Sequence, residues 1–595
     1  MTAIPDYRAS ITAWFTAGQA AFKGLVDACA AQQQAGDSTA GAAESPWTVD
    51  AAALAAIQDR WRRQQMDLWQ GLLSRSGDDP ATRTQPVKTP PGDRRFSHPL
   101  WRESPLDDYV RQVYLINAEY LQQLPETLLG VDPQLKRQWR FLLRQWLDAM
   151  APSNFLATNP ELIAAAVASQ GESLRRGLQN LLGDLEKGSI SLSDDTAFVV
   201  GRNLATTPGA VVYENELMQL IEYAPAAVGA SIARRPLLIV PPCINKFYIL
   251  DLQPENSLVR YAVEQGQRVF LLSWRNVQAE QGTLTWDDYI EHGPLSAIRV
   301  VQAIGGVERI NALGFCVGGT LLTTALAVAR ARGENQVVAL TLLTTLLDFS
   351  DTGEIACFAS EATVAAREAA IGQGGLLSGR ELSRVFSALR ANDLIWPYVV
   401  ANYMKGQSPT AFDLLYWNSD VTNLPGPFLV WYLRNMYLNN SLRVPNKLTV
   451  CGEKVDLQRL DMPTFIYASR EDHIVPWKTA YQARQILAGP STFVLGASGH
   501  IAGVINPPTK QQRCYWRVEA ESAPCGDADA WLGRAVEVRG SWWPAWALWL
   551  RAYDDGRTTA VAAVAAVAQL GNATYPPIEP APGRYVLAKA VAAKV

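Results

Sequence analysis

The sequence is poor in the residues that build metal sites and disulfide frameworks. Its 595 residues include only four histidines and seven cysteines. The cysteines are odd in number, scattered and without a CxxC pair, so neither a zinc site nor a disulfide framework is predicted. We therefore expect a reduced, cytosolic setting and no bound metal. Any histidine-based catalysis must draw on His98, His292, His473 and His500.

Long apolar runs and a strong net charge are also missing. The amino terminus, MTAIPDYRASITAWF, lacks the basic start and apolar core of a secretory signal. The tryptophan-rich run GSWWPAWALWL at 540–550 is too short to span a bilayer. A net charge of −4 gives no electrostatic case for nucleic acid, and no P-loop motif is present to cradle phosphates. We expect no transmembrane segment and no nucleic-acid partner.

The length of the chain favours two domains. Residues 1–198 are predicted to form a mainly helical N-terminal domain, without a catalytic constellation, that serves oligomerisation or partner binding. Within it, residues 1–32 have roughly helical spacing, 32–46 are predicted to be a polar linker, and 75–99 are predicted to be loop. The pattern of the chain changes at about 199.

Residues 199–595 alternate short β-rich runs with helices, which predicts an α/β domain with a parallel sheet covered on both faces. The β-rich runs are 235–242, 268–274, 309–315, 337–347, 462–470 and 491–498. The interval from about 350 to 450 breaks this rhythm, because it is long, aromatic and irregular. It is predicted to be a cap inserted above the sheet, which must move to admit a bulky substrate.

The motif GFCVGGT at 314–320 lies at the corner between a predicted strand and a predicted helix. Cys316, framed by two glycines, fits the sharp elbow that presents the nucleophile of an α/β-hydrolase fold. Asp472 and His500 each follow a later strand, and reactive groups gather at the carboxyl ends of parallel strands. The chain order of nucleophile, acid and histidine is that of the α/β-hydrolase arrangement. We therefore predict this fold, with Cys316, Asp472 and His500 as the catalytic residues.

Other residues compete for each of these roles. Asp348 also follows a strand, and this fold can place its acid there; otherwise Asp348 is a helix N-cap or turn residue. His473 adjoins the candidate acid, an arrangement in which the two side chains more often point apart. Cys243 follows a strand without a glycine frame and is interpreted as a pocket-lining residue. The remaining residues are interpreted as buried apolar cysteines (Cys29, Cys357, Cys451, Cys514 and Cys525) and as surface histidines (His98 and His292).

These residue types predict acyl transfer through a covalent intermediate. His500 would remove the proton from Cys316, since the thiolate is the nucleophile, and Asp472 would orient the imidazole. The backbone N–H groups of Val317 and Ile244 are predicted to hold the oxyanion. Attack by a thiol on a thioester exchanges one thioester for another at almost no free-energy cost. The acyl group stays activated and can pass to a hydroxyl, so transfer is favoured over hydrolysis.

From about residue 90 onward, the sequence resembles a polyhydroxyalkanoate synthase of the single-subunit class I type. The motifs that carry the resemblance are DRRF, MAPSNFLATNPEL, NSLVRYAVEQGQRVFLLSWRN, GFCVGGT, TLLTTLLDF, FDLLYWNSD, KLTVCG, SREDHIVPW, GASGHIAGVINPP, GSWWPAW and EPAPGRYV. Several of these strings are long and specific to that family. One departure is visible, since the family usually has tryptophan at the position of Cys243.

The resemblance implies polymerisation of (R)-3-hydroxyacyl-coenzyme A, chiefly 3-hydroxybutyryl-coenzyme A, into polyester with release of coenzyme A. It makes Cys316 the acyl carrier, His500 the general base and Asp472 the residue that helps to activate the substrate 3-hydroxyl. It further implies no separate cofactor, a homodimer at the surface of cytoplasmic polyester granules, contact with the growing polyester chain and with granule-associated proteins, and a granule- or partner-binding role for the N-terminal domain. The alternatives are a thioesterase or lactone hydrolase of the same fold, and a non-catalytic granule-coat protein.

Overall fold

The computed structural model describes residues 47–73, 86–90, 92–225, 231–519, 526–558 and 570–590. The chain forms two compact units by its internal contacts. The N-terminal unit contains Met1–Leu192 and Ser387–Pro409, and the second unit contains Ser193–Phe386 and Thr410–Val595. The helical spacing predicted for 1–32, the linker predicted for 32–46 and two of the cysteines, Cys29 and Cys525, lie outside the described residues.

The described part of the N-terminal unit is mainly helical. Its α-helices are Ala51–Leu73, Leu100–Glu103, Pro105–Gln123, Pro133–Ala149, Pro160–Ala168, Glu172–Lys187, Ala391–Leu394 and Trp396–Tyr398, and Val399–Met404 forms a π-helix. Sequence signals set several helix starts, because Ser104, Asp132 and Asn159 accept N-cap hydrogen bonds in front of a proline. Trp101 and Leu121 are fully buried in the core of this unit.

The second unit is built on an eleven-stranded sheet. Its strands, in chain order, are β1 Gly209–Glu214, β2 Met218–Tyr223, β3 Leu237–Val240, β4 Val269–Trp274, β5 Ile310–Phe315, β6 Val337–Leu343, β7 Thr464–Ser469, β8 Ser491–Gly496, β9 Cys514–Arg517, β10 Val536–Arg539 and β11 Glu579–Pro580. The spatial order is β10-β9-β8-β7-β6-β5-β3-β4-β2-β1-β11. Each of the six predicted β-rich runs contains one of these strands.

The sheet is mixed rather than wholly parallel as the sequence predicted. The six central strands, β3 to β8, pair in parallel. The strands outside them pair antiparallel, with β9 and β10 at one edge and β2, β1 and β11 at the other. The central strands connect through helices, whereas β1 and β2 follow each other after a short turn, which suits antiparallel pairing.

Helices cover both faces of the sheet. Successive strand residues point to opposite sides, and the central strands carry apolar residues on both. In β3, Leu238 and Val240 join one core cluster, whereas Leu237 and Ile239 join the other. The helices of this unit outside the cap are Leu258–Glu264, Trp286–Ile290, Ser296–Gly305, Val317–Ala331, Trp477–Tyr481, Ala483–Ile486, His500–Val504, Ala528–Arg534 and Trp543–Arg551. The predicted α/β-hydrolase architecture is confirmed.

The predicted cap interval lies between β6 and β7, and it is helical rather than irregular. Its α-helices in or bordering the second unit are Glu361–Ile371, Gly379–Leu389, Asp413–Ser419 and Gly426–Tyr432, and Leu433–Leu438 is a π-helix. Part of the interval, Ser387–Pro409, groups with the N-terminal unit instead of with the sheet. The sequence-based division at 198 therefore omits a segment that lies about 200 residues later in the chain.

Candidate active site

Cys316 lies at the corner between β5 and the helix Val317–Ala331. Its backbone has a φ of 54° and a ψ of −130°, a strained conformation for a residue with a side chain. Two hydrogen bonds hold it, since the Cys316 N–H donates to Leu343 O at 2.9 Å and the Gly319 N–H donates to Cys316 O at 2.9 Å. The thiol is partly exposed. This is the geometry of a nucleophile elbow.

The glycines around Cys316 are required by close backbone contacts. A Cβ atom on Gly314 would lie 2.4 Å from Gly319 Cα, and a Cβ atom on Gly318 would lie 2.4 Å from Pro241 O. Neither neighbour can move aside, because both are backbone atoms. The second contact also shows that the loop after β3 passes directly against the first turn of the elbow helix.

His500 and Asp472 meet beside this elbow. His500 Nδ1 lies 2.6 Å from Asp472 Oδ2, and both side chains are buried. The other carboxylate oxygen of Asp472 accepts the N–H groups of Ile474 at 2.8 Å and Val475 at 2.9 Å. The ring of Phe315, the residue before Cys316, stacks on the imidazole with centroids 5.7 Å apart.

The charges around His500 favour its protonated form. Burial alone lowers the pKa of the imidazole, but the charges of Asp472 and then of Cys316 outweigh it. Hydrogen bonds with the same two side chains add to the effect, and the pKa rises from its ordinary 6.5 to about 10. His500 can therefore hold a proton taken from the thiol while the thiolate attacks.

The tryptophan-rich run supports the helix that carries His500. The indole Nε1 of Trp542 donates to Gly503 O at 3.1 Å, and that of Trp543 donates to Val504 O at 2.9 Å. Both rings are almost fully buried. The run forms the helix Trp543–Arg551 on one face of the sheet, where it fixes the position of the histidine.

The competing residues have other partners. Asp348 is buried, but its carboxylate binds Asn440 Nδ2 at 2.7 Å and Arg443 Nη1 at 2.7 Å, both in the cap. Asp348 Oδ1 also accepts the N–H of Ser350 at 2.8 Å, as expected of a turn residue. The partner of His500 is Asp472. Of the two histidines predicted at the surface, His292 is exposed. His98 is half-buried, and its Nδ1 accepts the N–H of Leu100.

Three of the other four described cysteines are more exposed than predicted. Cys243 is buried, and burial raises the pKa of its thiol well above the ordinary range. The three other described cysteines are only partly buried and not enclosed as predicted: Cys357, Cys451 and Cys514.

A cavity in the second unit adjoins the site. Its lining includes Ile244 from the loop after β3 and the cap residues Leu424, Tyr432 and Tyr437. Both tyrosines are influenced by Cys316, since burial first, and then neighbouring groups including the Cys316 thiol, raise their pKa values. Tyr432 and Tyr437 were not predicted as site residues. The aromatic composition of the cap was the signal, but it did not single them out.

A buried lysine fixes the loop that carries Ile244. Lys246 Nζ lies 3.1 Å from Asp420 Oδ1 and donates to Val586 O at 2.7 Å and Ala588 O at 2.8 Å. The side chains of Lys246 and Asp420 are each only 3% exposed. The loop after β3, the cap and the C-terminal segment are thus joined by one charged network. This network was also missed from the sequence.

The described residues contain no cluster of three or more His, Cys, Asp or Glu side chains suited to a metal ion. Over the same residues, none of the helices combines the length and the apolar character needed to cross a bilayer.

Comparison with protein families gives two matches. The model described as "Poly-beta-hydroxybutyrate polymerase (PhaC) N-terminus" matches residues 92–262, and the model described as "alpha/beta hydrolase fold" matches residues 236–507. The first match begins in the N-terminal unit and runs into the sheet. The second includes Cys316, Asp472 and His500.

Comparison with curated proteins gives relatives along most of the chain. The poly(3-hydroxyalkanoate) polymerase subunit PhaC of Cupriavidus necator is 52% identical over 91% of this chain and 89% of that protein. The subunit of the same name from Rhizobium meliloti is 38% identical over 88% of this chain and 84% of that protein. Among solved structures, a monoacylglycerol lipase of Paleococcus ferrophilus is 14% identical over 46% of this chain and 91% of that chain, with a TM-score of 0.29. The family resemblance found in the sequence motifs is confirmed.

Proposed function

The chain belongs to the poly(3-hydroxyalkanoate) polymerase family, whose members are acyltransferases, and from that membership we propose that it builds polyester from short-chain (R)-3-hydroxyacyl-coenzyme A through an acyl thioester on Cys316. One observation carries the proposal. The imidazole of His500 is held by Asp472 at 2.6 Å, and its pKa responds to the Cys316 thiol at the elbow. These three residues form the arrangement that a cysteine acyltransferase needs.

Acylation of Cys316 is the first step. His500 accepts the thiol proton, and the thiolate sulfur attacks the carbonyl carbon of the substrate thioester. The bond from that carbon to the coenzyme A sulfur breaks, and His500 returns its proton to the departing thiolate. Coenzyme A leaves as a free thiol, so it is part of the substrate and not a retained cofactor.

Chain growth is the second step. The 3-hydroxyl oxygen of another acyl unit attacks the carbonyl carbon of acyl-Cys316 while His500 accepts the hydroxyl proton. An ester bond forms, the bond to Cys316 Sγ breaks, and the proton returns from His500 to the sulfur. Asp472 keeps the imidazole oriented in both steps and stabilises its charged form.

The oxyanion in both steps is assigned to two backbone N–H groups. Val317 is the first residue of the elbow helix, so its N–H has no acceptor within that helix. Ile244 follows in the loop that passes against the elbow at Pro241. The charged network around Lys246 holds that loop, which suits a site that must be preorganised.

Transfer requires that water be kept from the acyl-enzyme. The cavity beside the site is lined mainly by apolar cap residues, including Leu424 and Leu429. An apolar site that also orients the hydroxyl can favour transfer over hydrolysis, since positioning alone provides effective molarities of about 10⁵ M or more. This lining supports polymerisation over the thioesterase alternative.

The decisive experiment supplies (R)-3-hydroxybutyryl-coenzyme A to the full chain. Released coenzyme A should be matched by sedimentable, chloroform-soluble polyester, and the Cys316→Ala variant should release none. Stoichiometric free 3-hydroxybutyrate without polymer would instead make the protein a thioesterase. Inertness of the wild-type chain would favour a granule-coat role.

We also assign the enzyme to the surface of the cytoplasmic polyester granule, as a homodimer in contact with the growing chain and with other granule proteins. The family membership supports this assignment. Sedimentation of the protein with the polymer that it makes, and its mass in solution before and after substrate is added, test the two parts separately. A monomer throughout, or a protein that stays in the supernatant, would contradict the corresponding part.

A further inference from the structure

We propose that the Tyr437 hydroxyl donates a hydrogen bond to the 3-hydroxyl oxygen of the acyl unit carried at Cys316, which makes Tyr437 a specificity-determining residue of this site. The inference rests on the function proposed above. It identifies the 3-hydroxyl as the group of the substrate that the cap recognises. Four observations in the second unit lead to it.

First, a π-helical turn places two tyrosines side by side. The α-helix Gly426–Tyr432 continues as the π-helix Leu433–Leu438. Residues five apart point to different sides of an α-helix, whereas the i→i+5 pattern of a π-turn brings them one above the other. The rings of Tyr432 and Tyr437 accordingly meet edge to face, with centroids 5.4 Å apart and planes at 90°. Such turns recur at functional sites.

Second, the two rings are held rigidly. Tyr432 stacks on Trp286 with centroids 5.4 Å apart, and Phe349 meets the edge of Tyr437 at 5.2 Å. The Phe349 N–H donates to Asn440 Oδ1 at 2.8 Å, and Asn440 Nδ2 is bound by the buried Asp348. The end of the π-turn is therefore tied to the strand end of β6, the neighbour of the strand that leads to Cys316.

Third, apart from one ion pair, the two tyrosines supply the polar side chains that line the cavity. The lining also contains two charged side chains, Arg367 and Glu381, but these pair with each other at 2.6 Å. The rest of the lining is apolar. Sites for small molecules use a few placed polar groups in an apolar wall to orient their ligands. A phenol in this wall matches a 3-hydroxyacyl group, which is apolar except for its carbonyl group and the hydroxyl on the second carbon from it.

Fourth, the chemistry of Tyr437 suits a neutral donor near the thiol. Burial first, and then Cys316, raise the pKa of Tyr437 above its ordinary range, so the phenol keeps its proton. Tyr432 is buried and hydrogen-bonds to Tyr437, whose side chain is only partly buried. One O–H of the pair thus remains for the cavity. A hydroxyl oxygen can accept this hydrogen bond while it keeps its own proton.

The test compares two acyl donors that differ only in this hydroxyl, (R)-3-hydroxybutyryl-coenzyme A and butyryl-coenzyme A. Single-turnover acylation of Cys316 is followed by the mass of the intact protein, for the wild type and for Tyr437→Phe. The variant should acylate about 10- to 100-fold more slowly with the hydroxylated donor, because one hydrogen bond is lost in a dry site. With butyryl-coenzyme A, both proteins should react at the same rate to within about 2-fold.

Two further variants complete the design. Tyr213→Phe is the matched control, since Tyr213 lies in β1, next to the edge strand β11, where its ring packs on Tyr575 at 6.0 Å; it should behave as the wild type with both donors. Tyr432→Phe should slow the hydroxylated donor less than Tyr437→Phe does, because Tyr432 acts through its neighbour. Tm values within the error of the wild type would exclude misfolding.

Equal losses with both donors in Tyr437→Phe would overturn the inference, and so would no loss with either. Failure of the proposed function looks different. In that case the wild type itself would not be acylated by the hydroxylated donor, or the acyl group would be found away from Cys316.

Discussion

Asp472 binds His500 through one carboxylate oxygen and two backbone N–H groups through the other. The first contact is 2.6 Å long, and the other two, to the N–H groups of Ile474 and Val475, are 2.8 and 2.9 Å. The carboxylate is thus fixed before it orients the imidazole. This relationship separates Asp472 from Asp348, which lies after a neighbouring strand but binds only cap and turn residues.

We expect Asp472→Asn to reduce turnover by about 10⁴-fold, as when a triad acid is amidated in other enzymes. The amide keeps the shape of the side chain but cannot stabilise the imidazolium. The rate of coenzyme A release measures the effect. A loss of less than about 10-fold would show that Asp472 is not the acid.

Asp348→Ala should lower stability and leave the chemistry nearly intact. The change removes the acceptor for Asn440, Arg443 and the Ser350 N–H, which costs about 1–3 kcal/mol of the free energy of unfolding. Denaturant unfolding and single-turnover acylation with butyryl-coenzyme A measure the two effects separately. If acylation by this variant falls as far as in Asp472→Asn, the roles of the two aspartates have been reversed.

Cys316→Ala should abolish acylation, because the covalent path needs the sulfur, while alanine still fits the elbow. Radioactive substrate should label the wild type and Cys243→Ala but not Cys316→Ala. The buried Cys243 thiol, whose pKa is raised by burial, is a poor nucleophile and serves as the matched control. Label retained by Cys316→Ala and lost by Cys243→Ala would transfer the role of nucleophile to Cys243.

The raised pKa of His500 predicts a pH dependence of stability. Its pKa is 6.5 in the unfolded chain and about 10 in the folded protein, so the folded state binds the extra proton more tightly. The resulting stabilisation is complete below pH 6.5 and disappears as the pH rises through about 10. The Tm of the wild type should therefore fall across this window more than that of His500→Gln. Parallel curves would mean that the imidazole is not charged in the folded protein.

Lys246 should be much more important for stability than the lysine beside it in the network. Lys246→Met leaves Asp420 and two backbone carbonyls with fewer partners in a buried place, at a cost of about 3–5 kcal/mol. Lys589 also contacts Asp420, at 2.9 Å, but is 64% exposed, so Lys589→Met should cost no more than about 1 kcal/mol. Denaturant unfolding of the two variants checks the difference, and equal costs would contradict this account.

Local sequence patterns predicted the parts of the fold that depend on local forces. The apolar runs located the six parallel strands, because strands buried on both faces must be apolar throughout. The glycine frame located Cys316, because backbone contacts at Gly314 and Gly318 exclude side chains. Five strands were missed. The strands β9, β10 and β11 have only two to four residues and leave little periodicity to detect, whereas β1 and β2 have six residues each but include polar residues, such as the buried Gln219 and Glu222.

The sequence could not provide what depends on tertiary contacts. Asp348 and Asp472 both follow strands, and only the loop conformations decide which carboxylate reaches the histidine. Tyr432 and Tyr437 share a face only because the helix changes to a π-turn between them. In a regular α-helix their spacing of five would separate them.

The segment Ser387–Pro409 limits which truncated forms of the protein can fold. Its contacts lie with the first unit, where Asn180 Nδ2 donates to Asn402 O at 3.0 Å, Lys405 pairs with Glu161, and Gly177 leaves room for the Tyr403 backbone. A shortened chain that starts at Ser193 would keep this segment but lose the surface that buries it. Such a truncation would leave the hydrogen-bonding and ionic groups of this segment without their partners in the middle of the cap, and would favour aggregation. The hydrolase half of this chain is therefore not a separable module for expression or for transfer into another protein.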